Sequence, residues 1–293
     1  MGVSTADGTG RWVRPLAWAT LIANIGIVVT GGAVRLTGSG LGCPTWPRCT
    51  DESFRPHGAL DFHQAIEFGN RTLTFALSAV AVATFVVMWR TGRRDLRTMA
   101  LIAGLGIPAQ AVIGGITVLT DLNPWVVSFH LLCSMAIIGV AVRLLLSVDA
   151  PLPPAHRGPA VTLAWATFAA AWAVLYVGTV VTGSGPHAGD IDTERNGIDP
   201  LQVSQVHADL VFLFVGLTLG LLFTLLAAGA SPTARRAVVV LLCVELSQGA
   251  IGFVQYATDL PEVLVGFHML GAALVSACVT WALLRVRHPL GTA

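Results

Sequence analysis

Four of the eight histidines in this chain, His63, His130, His207 and His268, stand at or near the starts of what read as the second, fourth, sixth and eighth apolar helices. A neutral imidazole is an iron ligand. Two of them facing each other across a helical core can hold a heme iron from opposite sides, each oriented by a hydrogen bond at its other ring nitrogen. Ionisable side chains inside membrane helices are costly and point to function by default. A single such histidine is as well explained as a polar packing contact; four that follow one spacing pattern favour ligation. His130 lies six residues beyond Pro124, about 9 Å along a helix at roughly 1.5 Å per residue, and Phe267-His268 repeats Phe129-His130 further along the chain. Zinc suits the set less well, because two ligands per group leave its usual tetrahedral shell incomplete.

A carboxylate accompanies the first of these histidines. In His63-Gln-Ala-Ile-Glu67-Phe-Gly-Asn70-Arg71, positions i, i+4 and i+7 share a helical face, so His63, Glu67 and Asn70 point the same way. A carboxylate about 6 Å deeper than a ligating histidine can act as a base or stabilise a cationic intermediate. The alternative is a structural ion pair between Glu67 and Arg71. Shifted by the His63-to-His207 offset, Glu67 and Arg71 fall on Val211 and Val215, so only one copy carries the acid. Cys43 and Cys49 lie close together in the first outward loop, where an oxidising compartment permits a disulfide. Cys133, Cys243 and Cys278 fall within helices and read as small apolar residues. His57, His156, His187 and His288 sit in loops or the tail and read as solvated; His57 and His187, on the outer side, are also within reach of a propionate or substrate. Asp209 and Glu245 carry no assignment.

The elements that position these residues are membrane helices. Of 293 residues 54% are hydrophobic and 11% charged, with a mean hydropathy of +0.73, outside the range of a soluble globular domain. Runs long enough to cross a hydrocarbon core of roughly 20 residues occur at about 13–34, 66–89, 98–118, 125–147, 161–182, 205–229, 236–256 and 263–284. The first follows a polar start, is long for a signal h-region and lacks a small-residue cleavage site, so it is expected to remain as a helix. All 17 basic residues are arginine. Most cluster at the two termini and beside every second connection (Arg90, Arg93, Arg94, Arg97, Arg143, Arg157, Arg235, Arg236), which predicts cytoplasmic termini. A net charge of +1 gives no indication of nucleic acid.

The eight helices form two related sets. Residues 110–122 and Phe129-His130 match 248–260 and Phe267-His268 at an offset of 138, and Thr37-Gly-Ser-Gly40 recurs as Thr182-Gly-Ser-Gly185 at 145. Four crossings return the chain to its starting side, so the halves are parallel repeats, 1–148 and 161–293, joined by a proline-rich cytoplasmic linker at 149–160. His63 follows the first tetrad's Thr by 26 residues and His207 the second's by 25, which predicts matched depths. The expected fold is all-α: two parallel-repeat four-helix bundles in a bacterial cell membrane. An inverted-repeat transporter is disfavoured by the parallel order.

Taken together, Gly31-Gly-Ala-Val-Arg35-Leu-Thr-Gly-Ser-Gly40, Cys43-Pro-Thr-Trp46-Pro-Arg-Cys49, Ile66-Glu67-Phe-Gly-Asn-Arg71, Phe129-His130, His207 and Phe267-His268 resemble the heme A synthase family across essentially the whole membrane region. The resemblance implies an oxidoreductase that converts the C8 methyl of heme O to a formyl group by successive hydroxylations, the gem-diol losing water to give heme A for terminal oxidases. It implies heme b between His207 and His268, substrate heme in the first half at His130, Glu67 as catalytic carboxylate, and Cys43 with Cys49 as the outer-loop pair. It further implies heme O synthase as a partner and an electron acceptor. Many members read Glu-x-x-His-Arg where this chain has Asn70; His63, seven residues earlier on nearly the same face, is the natural substitute. A six-coordinate substrate site with His63 and an open site with His130 alone both remain. The competing function is a bis-histidine membrane cytochrome b that carries electrons without modifying heme; Glu67 and the cysteine pair weigh against it.

Overall fold

The computed structural model describes residues 9–56, 61–190 and 192–289, so His57 lies outside the described residues. After a 3-10 turn, Thr9–Trp12, come eight helices: α1 Val13–Leu36, α2 Phe62–Arg90, α3 Arg94–Leu119, α4 Pro124–Ser147, α5 Pro159–Ser184, α6 Pro200–Ala227, α7 Pro232–Ala257 and α8 Glu262–Arg287. No strand occurs among the described residues. All eight are long and apolar enough to cross a membrane. At 24 to 29 residues they run about 36–44 Å at 1.5 Å per residue, beyond the roughly 30 Å hydrocarbon core.

Caps rather than hydropathy decide where these helices begin. Pro124, Pro159, Pro200 and Pro232 occupy the first turn, where a missing N–H costs nothing. Side chains of Asn123, Asp199 and Ser231 accept from the next free amides, the N-cap arrangement. As a result α6 starts five residues before the apolar run that announces it; α2 starts four residues before its run without a side-chain cap at Asp61.

Each half closes as a ring. Helices α1–α2, α2–α3, α3–α4 and α4–α1 are in contact, as are α5–α6, α6–α7, α7–α8 and α8–α5. The halves meet through α4–α8, α1–α8 and α4–α5. Exchanging every helix with the one four places later leaves this set of pairings unchanged. The inter-half core gathers Leu21, Val28, Met135, Ile138, Leu175, Ala273 and Ala277. Small residues bring the backbones close here: a Cβ on Gly32 would lie 2.9 Å from the Met269 side chain, and one on Gly139 3.2 Å from Thr280 Oγ1. Ser276 Oγ donates across the seam to the Met135 carbonyl at 2.8 Å.

Two hairpin turns repeat in backbone detail. Asp121 and Leu122 (φ 50° and 57°) join α3 to α4, and Asp259 and Leu260 (φ 57° and 57°) join α7 to α8. Consecutive left-handed residues other than glycine are costly, about 1–2 kcal/mol each. Here they let Leu122 N–H reach the Thr117 carbonyl at 2.8 Å and Leu260 N–H the Gln255 carbonyl at 2.9 Å, satisfying helix-end acceptors. Leu122 is buried between Gly40 and Gly189, where a Cβ on either glycine would crowd it. At the same end, Arg35 donates from Nε to the His187 carbonyl (2.5 Å) and from Nη2 to that of Thr182 (2.8 Å), and Gly40 N–H donates to the Gly189 carbonyl at 2.9 Å. The loops after α1 and α5 are thereby locked together at what we term the distal end, opposite the termini.

Candidate functional site

In the second half the two core histidines face each other. The rings of His207 on α6 and His268 on α8 have centroids 6.4 Å apart and planes inclined at 66°. Two metal–imidazole bonds of about 2 Å, plus the distance from each nitrogen to its ring centre, require roughly 6 Å between centroids. The pair is thus spaced for one metal atom. A glycine on a flanking helix makes room for the first ring: a Cβ on Gly178 of α5 would lie 3.1 Å from His207 Cε1, whereas one on Gly252 of α7 would be in ordinary contact, 3.8 Å from His268 Cε1. Nδ1 of both rings is buried without a hydrogen bond of normal geometry. The Val174 carbonyl faces the His207 ring, the kind of backbone acceptor that orients a ligating imidazole. Ring spacing, glycine clearance and donor type all fit a heme iron.

The first half is built differently. His130 on α4 lies over Gly114 of α3, where a Cβ would be 3.3 Å from Cε1, and its Nδ1 is likewise buried and unbonded. Gly114 and His130 are the counterparts of Gly252 and His268 at the same offset of 138. Across the ring, α2 and α6 also begin 138 residues apart, which puts His207 level with Gly69, beside Asn70. Asn70 Oδ1 accepts from Thr30 Oγ1 at 2.8 Å. His63, the second residue of α2 and exposed, stands about 10 Å nearer the distal end than Asn70 at seven residues' rise. Its Nδ1 is 3.0 Å from Ser39 Oγ. The expected equal depth of His63 and His207 therefore does not hold: counting from the Thr-Gly-Ser-Gly tetrads ignored the different loop lengths before α2 and α6.

Glu67 is 5% exposed, and both of its carboxylate oxygens accept hydrogen bonds. Oε2 accepts the Cys43 N–H at 2.5 Å; Oε1 accepts Arg71 Nε at 3.1 Å and Nη2 at 2.5 Å. Arg71 continues to the carbonyls of Cys43 (2.8 Å), Thr45 (3.0 Å) and Arg48 (3.1 Å). The ion pair is present, and it organises the loop closed by the Cys43–Cys49 disulfide. Trp46 of that loop lies on Gly115 of α3, where no Cβ could fit, next to the glycine under His130. Gly115→Val is expected to displace Trp46 and destabilise the loop by about 1–3 kcal/mol. A water-soluble thiol reductant should then open Cys43–Cys49 several-fold faster.

The helix register also corrects the counterparts of Glu67 and Arg71. At an offset of 138 they are Gln205 and Asp209, not Val211 and Val215, and Gln205 Nε2 donates to Asp209 Oδ1 at 2.8 Å. The contrast between the halves is thereby sharper: acid and arginine under a disulfide loop in one, amide and acid in the open in the other. The Asp199-Pro200 cap was the sequence signal that could have set this register.

Other side chains are placed as follows. His187 Nε2 bonds the Leu260 carbonyl at 3.0 Å. His156 is exposed, whereas His288, expected to be solvated, is half-buried with Nδ1 2.6 Å from the Pro153 carbonyl. Cys243 is exposed and Cys133 and Cys278 are half-buried, so none of the three is a fully enclosed core residue.

The family model described as cytochrome oxidase assembly protein (COX15-CtaA) matches residues 14–189, which takes in Glu67, the disulfide loop and His130. Among individual proteins, the chain is similar to one named heme A synthase from Geobacillus kaustophilus (strain HTA426), 31% identical over 122 residues, 41% of this chain and 38% of that protein. It is also similar to a heme A synthase from Bacillus mycoides (strain KBAB4), 27% identical over 145 residues, 47% of this chain and 46% of that protein. The matched stretch spans less than half the length of each of these relatives.

Proposed function

The chain belongs to the COX15-CtaA family of cytochrome oxidase assembly proteins, and from that premise we propose that it is a heme A synthase, oxidising the C8 methyl of heme O to the formyl group of heme A. It is a multi-pass bacterial membrane protein. The observation that carries the proposal is the asymmetry of the two cores: an imidazole pair spaced for one iron in the second half, a single core imidazole and a buried carboxylate in the first.

We assign His207 and His268 to heme b, which when bound supplies one-electron redox chemistry. His130 binds and orients the substrate heme O from α4, with Gly114 clearing the space beneath it. Of the two arrangements left open for the first half, the one with His130 alone is preferred, since His63 is tied to Ser39 near the distal surface and Asn70 to Thr30. Glu67 is the catalytic carboxylate. A carboxylate has about four lone-pair positions; two guanidinium bonds occupy Oε1 and one amide bond occupies Oε2. The remaining position on Oε2 can take a proton from the oxygenated carbon. The disulfide loop with Trp46 packs on α3 beside His130, and water supplies the formyl oxygen as four electrons and four protons leave the methyl carbon. The distal end faces outward and both termini are cytoplasmic, residues 1–148 and 161–293 acting as substrate and cofactor halves. Heme O synthase is the partner that delivers substrate, and a separate acceptor removes the electrons.

The test is to express the chain with a heme O source in cells that make no heme A, then extract and identify the hemes. Heme A is expected. Heme O alone, in cells where the protein is present and carries its retained heme, would sink the assignment and leave an electron-carrying cytochrome.

A further inference from the structure

Glu245 is the one buried acid of the second half among the described residues. It stands fourteenth of 26 residues in α7, 3% exposed, near the middle of the span. Thr218 Oγ1 of α6 donates to Oε1 at 2.7 Å, while Oε2 is buried without a partner. Its counterpart in α3, 138 residues earlier, is Ile107, so the group is peculiar to this half.

Its position relates it to the imidazole pair. Gly252, which faces the His268 ring, is seven residues further along α7, two turns on the same face and about 10 Å away. Gln248 lies between them, packed on Gly271 of α8. Groups that could share its titration are few. Helix α6 presents Thr218 and α8 presents the half-buried Cys278 thiol. Beyond His207 and His268, the other ionisable side chains of α6, α7 and α8 are Cys243, Tyr256 and the charged Asp209, Arg235, Arg236, Glu262, Arg285 and Arg287; Cys243 is exposed, and the remainder lie toward the helix ends. An acid in low dielectric with no cation against it responds to any nearby change of charge. A unit charge about 10 Å away alters its proton affinity by roughly tenfold at an effective dielectric near 20.

We propose that Glu245 is a proton-binding site coupled to the redox state of the second-half heme. With a heme held by His207 and His268, its carboxylate would take up a proton from the aqueous phase when that group is reduced and release it when the electron passes to the acceptor. The proton offsets part of the charge that the electron brings into the buried half. The inference rests on the assignment of heme to His207 and His268.

The experiment is a potentiometric titration of the purified, heme-loaded chain at a series of pH values. In the wild type the midpoint potential should fall with rising pH by about 59 mV in all, the one-electron equivalent of the tenfold change in proton affinity. Glu245→Gln, which preserves an acceptor for Thr218, should flatten the slope while leaving the low-spin spectrum intact. Thr218→Val should keep the slope but move the pH at which it changes. Cys278→Ser should change neither. An equal slope in wild type and Glu245→Gln, or loss of the slope in Cys278→Ser alone, overturns the inference. Should Glu245→Gln fail to accumulate, the infrared redox difference spectrum of the wild type decides: a protonated-carboxyl band must appear on reduction, and its absence overturns the inference. A wild type that binds no heme, or whose heme is unaffected by His207→Ala, overturns the underlying assignment instead.

Discussion

Replacing His268 with alanine is expected to strip the second half of its heme and abolish the low-spin bis-imidazole spectrum of the purified protein. The two rings stand at the separation that a single iron requires, and no other described histidine lies at their depth in that half. Loss of a group that merely orients a ligand typically costs 10–100-fold in affinity; loss of the ligand itself should exceed that. His207→Ala should behave the same way, since the iron needs both faces. His63→Ala should leave the spectrum unchanged, because His63 is bonded to Ser39 at the distal surface of the other half. Retention of the low-spin signal by His268→Ala would refute the ligand assignment outright.

The second large effect is expected at Glu67. Glu67→Gln should lower heme A formation by about 10²–10⁴-fold, the usual range for removing a general acid or base, with heme content and the rate of disulfide reduction close to wild type. The amide oxygen can still accept the Cys43 N–H or the Arg71 guanidinium, so the loop keeps most of its support. Glu67→Ala removes all three hydrogen bonds and should also speed opening of the disulfide. If Glu67→Gln retained full activity while Glu67→Ala lost it, Glu67 would be an anchor for the loop and not a proton acceptor.

Much of this arrangement was legible in the residues. The eight helices follow from apolar length, and the match between α3–α4 and α7–α8 follows from a Thr-Asp-Leu turn and a Phe-His pair that recur at one spacing. The Cys43–Cys49 bridge follows from the proximity of two cysteines in an outward loop. Depth was harder to read. Hydropathy marks where the chain is surrounded by hydrocarbon, whereas helices start where a cap and a proline start them, and at α6 the two differ by five residues. That difference carried His207 two turns into its helix, and the unequal loops before α2 and α6, ignored in counting from the tetrads, misplaced the counterparts of Glu67. The bonds from Arg35 to the carbonyls of Thr182 and His187 had no sequence signature at all, because a carbonyl acceptor is present at every residue. Burial of Glu67 by the Cys43 amide was hidden for the same reason.

The paired left-handed turns at Asp121-Leu122 and Asp259-Leu260 also govern which changes of chain length the protein can absorb. Each turn is closed by its own hydrogen bonds and has no slack, and the histidine follows eight residues after its leucine. A residue gained or lost within that interval would swing the imidazole by about 100° around its helix and out of the core. The two tight hairpins therefore act as fixed gauges, and insertions and deletions in relatives of this chain should collect instead in the 185–199 connection and the 149–158 linker, which set no histidine's rotation.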